Sequence, residues 1–396
     1  MSGLAQKLRM FLYNLKCDAV FLLGHIVPRE KGLWVFGSWF GLKYWGNSRF
    51  FYEYVRRNHP EIRAVWLTRN PLVLHYLLEH GYEVYDAHSF KAVMLTLRAE
   101  CCCISHNLYD INEYAGGALP VIQLRRGTPF LYVEAGEHRL KKGFVHTFRK
   151  WMRFPLYKEC INHWRREFVI ASSEKVKSIY EQYFRVPSAN IAVTGYPRTD
   201  MLYHHNRLAS SVQEKLDLIH AENGYAGIYV PHDDCESFIN RADSINAELK
   251  KARITLFLKF YVRPSTENLN KLKFLSNIAI IPDDCVNDDV FPLLPSMDFF
   301  LTDYASMFFD FLLLGKPVLF TPFEKSLSFF YEYDDVAPGK KIAAWQDLVP
   351  TLKAVVSNPQ EYEAQRERVC AEFHAFRDGH SCKRVFDSVI AYLKEV

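Results

Sequence analysis

Met297–Glu324 reads M-D-F-F-L-T-D-Y-A-S-M-F-F-D-F-L-L-L-G-K-P-V-L-F-T-P-F-E, and this stretch decides the fold. Phe299–Leu301 is a short apolar run fit for a buried strand. The polar and small residues Asp303-Tyr304-Ala305-Ser306 then open a helix. Met307–Leu314 reads as an apolar helix that Gly315-Lys316-Pro317 stops, and Val318–Phe320 is the next strand. A strand–turn–helix–strand unit aims backbone N–H groups and a helix dipole at whatever lies beyond the strand end, a favourable place for phosphate. An ordinary βαβ unit with a capped helix carries the same pattern.

Outward from this unit the chain alternates short β-rich runs with helical patterns. Leu33–Gly37, Ala64–Thr68, Cys101–Ser105, Val121–Leu124, Phe168–Ser172 and Ile191–Thr194 are candidate strands of a first series. A polar helical region, Asn206–Tyr225, separates it from Gly227–Val230, Ile254–Leu258, Ile278–Ile281, Phe299–Leu301 and Val318–Phe320. Strands separated by helices predict parallel sheets covered on both faces. The expected fold is α/β: two tandem Rossmann-like, doubly wound domains with N-terminal and C-terminal helices, the GT-B architecture. Residues 1–30 form an amphipathic helical segment, with Leu4, Leu8, Phe11, Leu12 and Leu15 on one face; residues 361–396 are helices that pack back on the first domain.

Composition narrows the class. A chain of 396 residues suits two domains, and 49% hydrophobic with 15% aromatic content indicates large cores. A net charge of +4 argues against a dedicated nucleic-acid binder. The 9 cysteines include no C-x-x-C pair, and Cys101-Cys102-Cys103 reads as part of a buried strand, which fits a reducing compartment. Ala19–Leu23 is too short for a signal-peptide core, and no run approaches the ~20 apolar residues of a spanning helix. No cluster has metal-ligand spacing, so neither metal nor cofactor is expected.

The opening stretch resembles the D-Y-S-S-x-x-F-D-F…K-P motif of the CDP-glycerol glycerophosphotransferase family, the teichoic-acid and capsule polyol-phosphate transferases. Other islands follow in the family's order. Trp34-Val35-Phe36-Gly37-Ser38 with Gly41 and Asn47-Ser48-Arg49 is similar to its opening strand and loop. Gly127-Thr128-Pro129 stands where the family has W-H-G-T-P, Gly195-Tyr196-Pro197-Arg198-Thr199-Asp200 matches G-Y-P-R-x-D, and Asp378-Gly379 matches a late D-G. The resemblance implies transfer of glycerol phosphate or ribitol phosphate from a CDP-polyol to a hydroxyl of a lipid-linked glycan acceptor. It assigns residues 31–205 to an acceptor- and membrane-facing domain and 225–360 to the nucleotide-donor domain. The donor- and phosphate-binding candidates are Asp303, Tyr304, Ser306, Arg198, Gly127 and Thr128, together with Pro231 and His232, where the sequence departs from the family's usual Y-A-P-T-F/W-R and His232 either meets the donor or caps the next helix.

The sequence departs from the family where a base is needed. The histidine of W-H-G-T-P is Arg126 here, and the histidine of a second motif, K-x-H-P, is Arg263 in Tyr261-Val262-Arg263-Pro264. Arginine stays protonated and cannot take a proton near neutral pH, although it holds phosphate well. The catalytic candidates are therefore Arg126 and Arg263 as anion holders, with Glu134 and His138 of Tyr132-Val133-Glu134-Ala135-Gly136-Glu137-His138 as replacement bases. His106, at a strand end, reads as a structural histidine with its bonds satisfied.

Between Arg139 and Arg166 basic and aromatic residues interleave. Lys141, Lys142, Phe148, Arg149, Lys150, Trp151 and Arg153 are the candidate contacts with an anionic membrane surface, on the cytoplasmic face of a cell membrane. A core-facing amphipathic helix has a similar pattern. Two other functions fit the same scaffold: glycosyl transfer from another nucleotide sugar, and a non-catalytic relative that only binds.

Overall fold

The computed structural model describes residues 3–132, 167–204, 210–232, 236–260, 264–281, 285–286, 289–323 and 327–396. Strands β1 (Glu30–Phe36), β2 (Arg63–Thr68), β3 (Val84–Asp86), β4 (Ala99–Ile104), β5 (Val121–Gln123), β6 (Glu167–Ala171) and β7 (Ile191–Val193) form one sheet in the order β3-β2-β1-β4-β5-β6-β7. Every pairing in it is parallel. A strand covered on both faces needs apolar residues at every position. Trp34 and Phe36 accordingly face one core, where the C-terminal helix Ser381–Glu395 contributes Val385, Phe386 and Val389. Leu33 and Val35 face the opposite core with Cys17 and Phe21 of the N-terminal helix Gly3–Leu23. The cysteine triplet divides in the same way: Cys101 and Cys103 point to the first core and Cys102 to the second.

The second sheet is β8 (Tyr225–Val230), β9 (Ile254–Leu258), β10 (Ile278–Ile280), β11 (Phe299–Thr302), β12 (Val318–Phe320) and β13 (Lys340–Lys341), ordered β10-β9-β8-β11-β12-β13 and again parallel throughout. These are two doubly wound α/β domains, as the alternating pattern predicts. The edge strands β3 and β13 are absent from the sequence reading. β3 has three residues, and β13 is a pair of exposed lysines with no apolar signal.

Two helices differ from expectation. The apolar run Met307–Leu314 is α-helical only over Met307–Phe311 and tightens to a 3-10 turn over Leu312–Leu314, ending at Gly315 with φ 68°. The N-terminal segment is one helix, and the face it packs carries Asn14, Cys17, Asp18 and Phe21. Leu8, Leu12 and Leu15 of the expected apolar face stay exposed.

The domains are tied directly. Phe130–Tyr132 runs antiparallel to 328–330, through Phe330 N to Phe130 O and Tyr132 N to Ser328 O, both 2.9 Å. The Gly46 N–H donates to Asp289, and Arg49 reaches the Val286 carbonyl. The C-terminal helix is capped by the first domain: Asp200 accepts from Ser381 N and Cys382 N, each at 2.8 Å. That cap explains the aspartate ending Gly-Tyr-Pro-Arg-Thr-Asp. The Asp378-Gly379 turn is fixed by Arg384, which grips the Asp378 carboxylate with two nitrogens at 2.8 and 2.9 Å.

Candidate functional site

In an open parallel sheet, ligands bind beyond the carboxyl ends of the strands, where the strand order reverses. That point lies between β1 and β4 in the first sheet and between β8 and β11 in the second. A cavity of about 110 Å³ joins the two domains there, walled by Phe40, His106, Arg125, Arg126 and Thr128 of the first and by Ser306 of the second. A larger one, about 490 Å³, lies beside His25, Arg29 and Pro120 at the amino ends of the strands, where this geometry offers no ligand crevice.

The Arg125–Thr128 loop is held from three sides. The Asn47 amide donates to the carbonyls of Leu124 and Arg125, both at 2.9 Å, while its oxygen accepts from Arg198 N at 3.1 Å. Arg198, buried between the domains, donates to the Arg126 carbonyl and forms an ion pair with Asp310. Gly127 has φ +148°, and a Cβ there would run into the Arg198 guanidinium. The glycine is thus required by backbone shape and by close approach. Arg125, with φ 57°, lays its guanidinium over the rings of Tyr180 and Phe184 at 4.5 and 4.4 Å. The Thr128 hydroxyl is buried without a hydrogen-bond partner.

The Asp303–Ser306 turn is tied to the end of β8. Asp303 accepts from His232 N at 3.0 Å, next to Pro231, and Thr302 Oγ1 donates to the Val230 carbonyl at 2.7 Å. The Ala305 N–H donates to Thr302 Oγ1, and the His232 and Tyr304 rings lie 4.8 Å apart. Tyr304 is buried, as is Asp303. Lys316 of the Gly-Lys-Pro stop turns away to the carbonyls of Pro295 and Met297, both at 2.7 Å. Of the donor-binding candidates, Gly127, Thr128 and Ser306 meet at the cavity with Arg126. Asp303, Tyr304, Pro231 and His232 form the turn behind Ser306, and the Arg198 guanidinium is engaged by Asp310. Glu134, His138, Arg263 and the residues from Lys141 to Arg153 lie outside the described residues. Among the described residues, no group of three or more His, Cys, Asp or Glu is placed to hold a metal ion.

His106 differs from the sequence reading. Its Nδ1 lies 3.1 Å from Ser105 Oγ and 3.9 Å from Asp110 Oδ1, but its Nε2 is buried with no partner. Burial, then the positive charges of Arg126 and Arg125, hold its pKa well below the ordinary 6.5, so the imidazole is neutral at pH 7. Asp110 accepts from the backbone N–H groups of Phe40, Ser105 and His106. Complete burial nevertheless pushes its pKa up to about 6. The rings of Trp39 and Phe40 stand 4.8 and 4.9 Å from the imidazole. The signal available in the sequence was the position of Ser105-His106-Asn107 at the end of the strand next to β1.

Two parallel-sheet α/β domains with a cavity between their strand-order reversals define a two-domain architecture of the GT-B type. The chain belongs to the CDP-Glycerol:Poly(glycerophosphate) glycerophosphotransferase family, whose model matches residues 19–391. It is 22% identical to a teichoic acid poly(glycerol phosphate) polymerase of Bacillus subtilis (strain 168), over 97% of this chain and 52% of the relative. It thus spans about half the length of that relative. A teichoic acid glycerol-phosphate transferase of Staphylococcus aureus (strain NCTC 8325 / PS 47) is 21% identical, over 91% of this chain and 93% of the relative. A solved structure of the wall teichoic acid polymerase TagF superposes with a TM-score of 0.73 at 20% identity, covering 100% of this chain and 99% of that one.

Proposed function

We propose that the chain transfers a polyol phosphate, glycerol phosphate or ribitol phosphate, from a CDP-activated donor to a hydroxyl of a lipid-linked glycan acceptor, releasing CMP. The observation that carries this reading is the cavity shared by the two strand-order reversals, with two arginines and the Thr128 and Ser306 hydroxyls on its wall. Phosphoryl transfer spreads negative charge over the phosphoryl oxygens, so positioned cations and hydroxyl donors stabilise it. Arg126 and Thr128 meet the donor diphosphate from the first domain and Ser306 from the second. The Asp303 turn sets the position of Ser306, and Arg198 fixes the loop carrying Arg126. The Met307–Phe311 helix is short, so its dipole adds little beside these side chains.

Thermal-shift binding of CMP, CDP-glycerol, CDP-ribitol and UDP-sugars to wild type and Ser306→Trp tests the reading. Stabilisation by a CDP-polyol that the substitution abolishes supports it; stabilisation by UDP-sugars alone points to glycosyl transfer. An assay in EDTA adds the turnover test, and wild type that releases no CMP from either CDP-polyol across an acceptor panel sinks the proposal.

Among the described residues, no helix is long and apolar enough to cross a membrane. We assign the chain a peripheral position on the cytoplasmic membrane face. The basic, aromatic run Arg139–Arg166 supports it, as do the exposed Leu8, Leu12, Leu15, Leu22 and Ile26 of the N-terminal region. Co-sedimentation tests the assignment: vesicles containing an anionic lipid should retain the protein, and neutral vesicles should release it. Equal recovery in the supernatant with both would remove the membrane from the reading.

A further inference from the structure

We propose that His106 is the general base of this site, its Nε2 taking the proton from the acceptor hydroxyl as that oxygen attacks the donor phosphorus. The inference rests on the polyol-phosphate transfer reading above. The arginines on the wall cannot accept a proton at neutral pH. Among the described residues of the cavity wall, His106 is the titratable side chain that can.

Its surroundings suit the role. A base must be neutral, oriented and within reach of the hydroxyl. The orientation comes from the Nδ1 side: Nδ1–H donates to Ser105 Oγ at 3.1 Å, and Ser105 Oγ in turn donates to Asp110 Oδ2 at 3.3 Å. That chain fixes the tautomer with the lone pair on Nε2. Neutrality follows from burial and from the two arginines. The side chain is 4% exposed, yet Nε2 has no hydrogen-bond partner. A buried polar atom left unpaired costs free energy, and a bound hydroxyl would satisfy it. The unpartnered Thr128 hydroxyl lies on the wall of the same cavity.

The covering residues are strained. Trp39 and Phe40 have φ 47° and 56°, left-handed values that are unfavourable for aromatic residues. Phe40 is 42% exposed and sits against the imidazole. Movement of its ring opens the way to Nε2.

The reaction balances without a further reagent. The acceptor oxygen forms a bond to the polyol-linked phosphorus, and the bond from that phosphorus to the bridging oxygen breaks. Its electron pair stays with CMP, and the acceptor proton passes to Nε2 and then to solvent.

The test measures CMP release by wild type, His106→Gln and Ser105→Ala between pH 5 and 9. His106→Gln should lose about 10²–10⁴-fold in kcat, the usual contribution of a general base, with donor KM changed little. The wild-type kcat/KM should show an acidic limb below pH 6.5, and the kcat limb should lie at higher pH, because bound diphosphate offsets Arg125 and Arg126. Asp110 also titrates near this range, so the limb must vanish in His106→Gln to be assigned to the imidazole. Ser105→Ala should move the limb while retaining measurable turnover, which keeps the test informative if His106→Gln fails to fold. A His106→Gln enzyme that retains half the wild-type kcat, or one in which the wild-type acidic limb persists, overturns the assignment. Wild type that releases no CMP overturns the transfer reading, and this inference with it.

Discussion

Asp310→Asn probes the buried link that holds the Arg126 loop. Asp310 belongs to the short helix of the second domain, and Arg198 comes from the Gly-Tyr-Pro-Arg turn of the first; their side chains are 0% and 9% exposed. Asparagine keeps the shape and one acceptor but removes the charge. The guanidinium is then left buried and uncompensated, which costs about 3–5 kcal/mol. Unfolding entropy near the midpoint is about 2.1 cal/mol/K per residue, or ~0.8 kcal/mol/K for 396 residues. The melting temperature should therefore fall by about 4–6 °C if the chain unfolds as one unit, and by about twice that if one domain melts alone. Differential scanning calorimetry reads this directly. The double variant Arg198→Met/Asp310→Leu should recover most of the loss, since an apolar pair of similar volume replaces a buried ion pair at little cost. It should not recover turnover, because the Arg126 carbonyl has lost its Arg198 donor. A shift below about 1 °C in Asp310→Asn, against the several degrees worked out above, would falsify the reading of this pair as the link between the domains.

Gly127→Ala must strain a φ of +148° and displace the Arg198 guanidinium; it should cost several kcal/mol, about the scale of breaking a buried ion pair, measured as a lower urea midpoint. Asp200→Ala removes both acceptors at the start of Ser381–Glu395. A loss of about 1–2 kcal/mol is expected, with faster hydrogen exchange in that helix; unchanged protection would count against the cap. Burial lowers the pKa values of His106 and His374 below 6.5. The unfolded state then binds protons first, so stability should be lost as pH falls below about 6.5, by up to ~1.4 kcal/mol per pH unit for each group. Asp110 has the opposite sign: its native pKa of about 6 exceeds 3.8, so its contribution is present below 3.8 and lost as pH rises through 6. His374→Gln should flatten the histidine slope, because it removes one of these two buried imidazoles, while its hydrogen bond to the Phe309 carbonyl works the other way and holds the pKa up.

The two doubly wound domains were legible because a strand buried on both faces must be apolar at every position. Leu33–Gly37 and Phe299–Leu301 announce themselves in that way. Edge strands escape the rule: β13 is Lys340-Lys341, held by pairing with Leu319 and Phe320 rather than by burial. The face of the N-terminal helix escaped for a related reason. Its leucine-rich side competes with a side carrying Cys17 and Phe21, and only the shape of the first sheet decides that the second packs. At the site, Gly127, Thr128 and Ser306 were legible from motif and turn chemistry. The partner of Arg198 was not, since Asp310 lies 112 residues away and no local pattern links them.

His106 shows what a strand-end position means. Read alone, a histidine after an apolar strand has the features of a core residue with satisfied bonds, and one of its nitrogens does meet Ser105. The strand order changes the weight of that position. β4 lies next to β1 with the chain leaving toward the other edge of the sheet, so its end opens on the one crevice a doubly wound domain provides. A side chain there is either buried by another element or available to a ligand. His106 is covered by Trp39 and Phe40, on backbone conformations that cost free energy to hold. Its unpaired nitrogen adds to that cost. Packing alone rewards neither feature. Both are relieved together if the cover moves and a hydroxyl takes its place against Nε2.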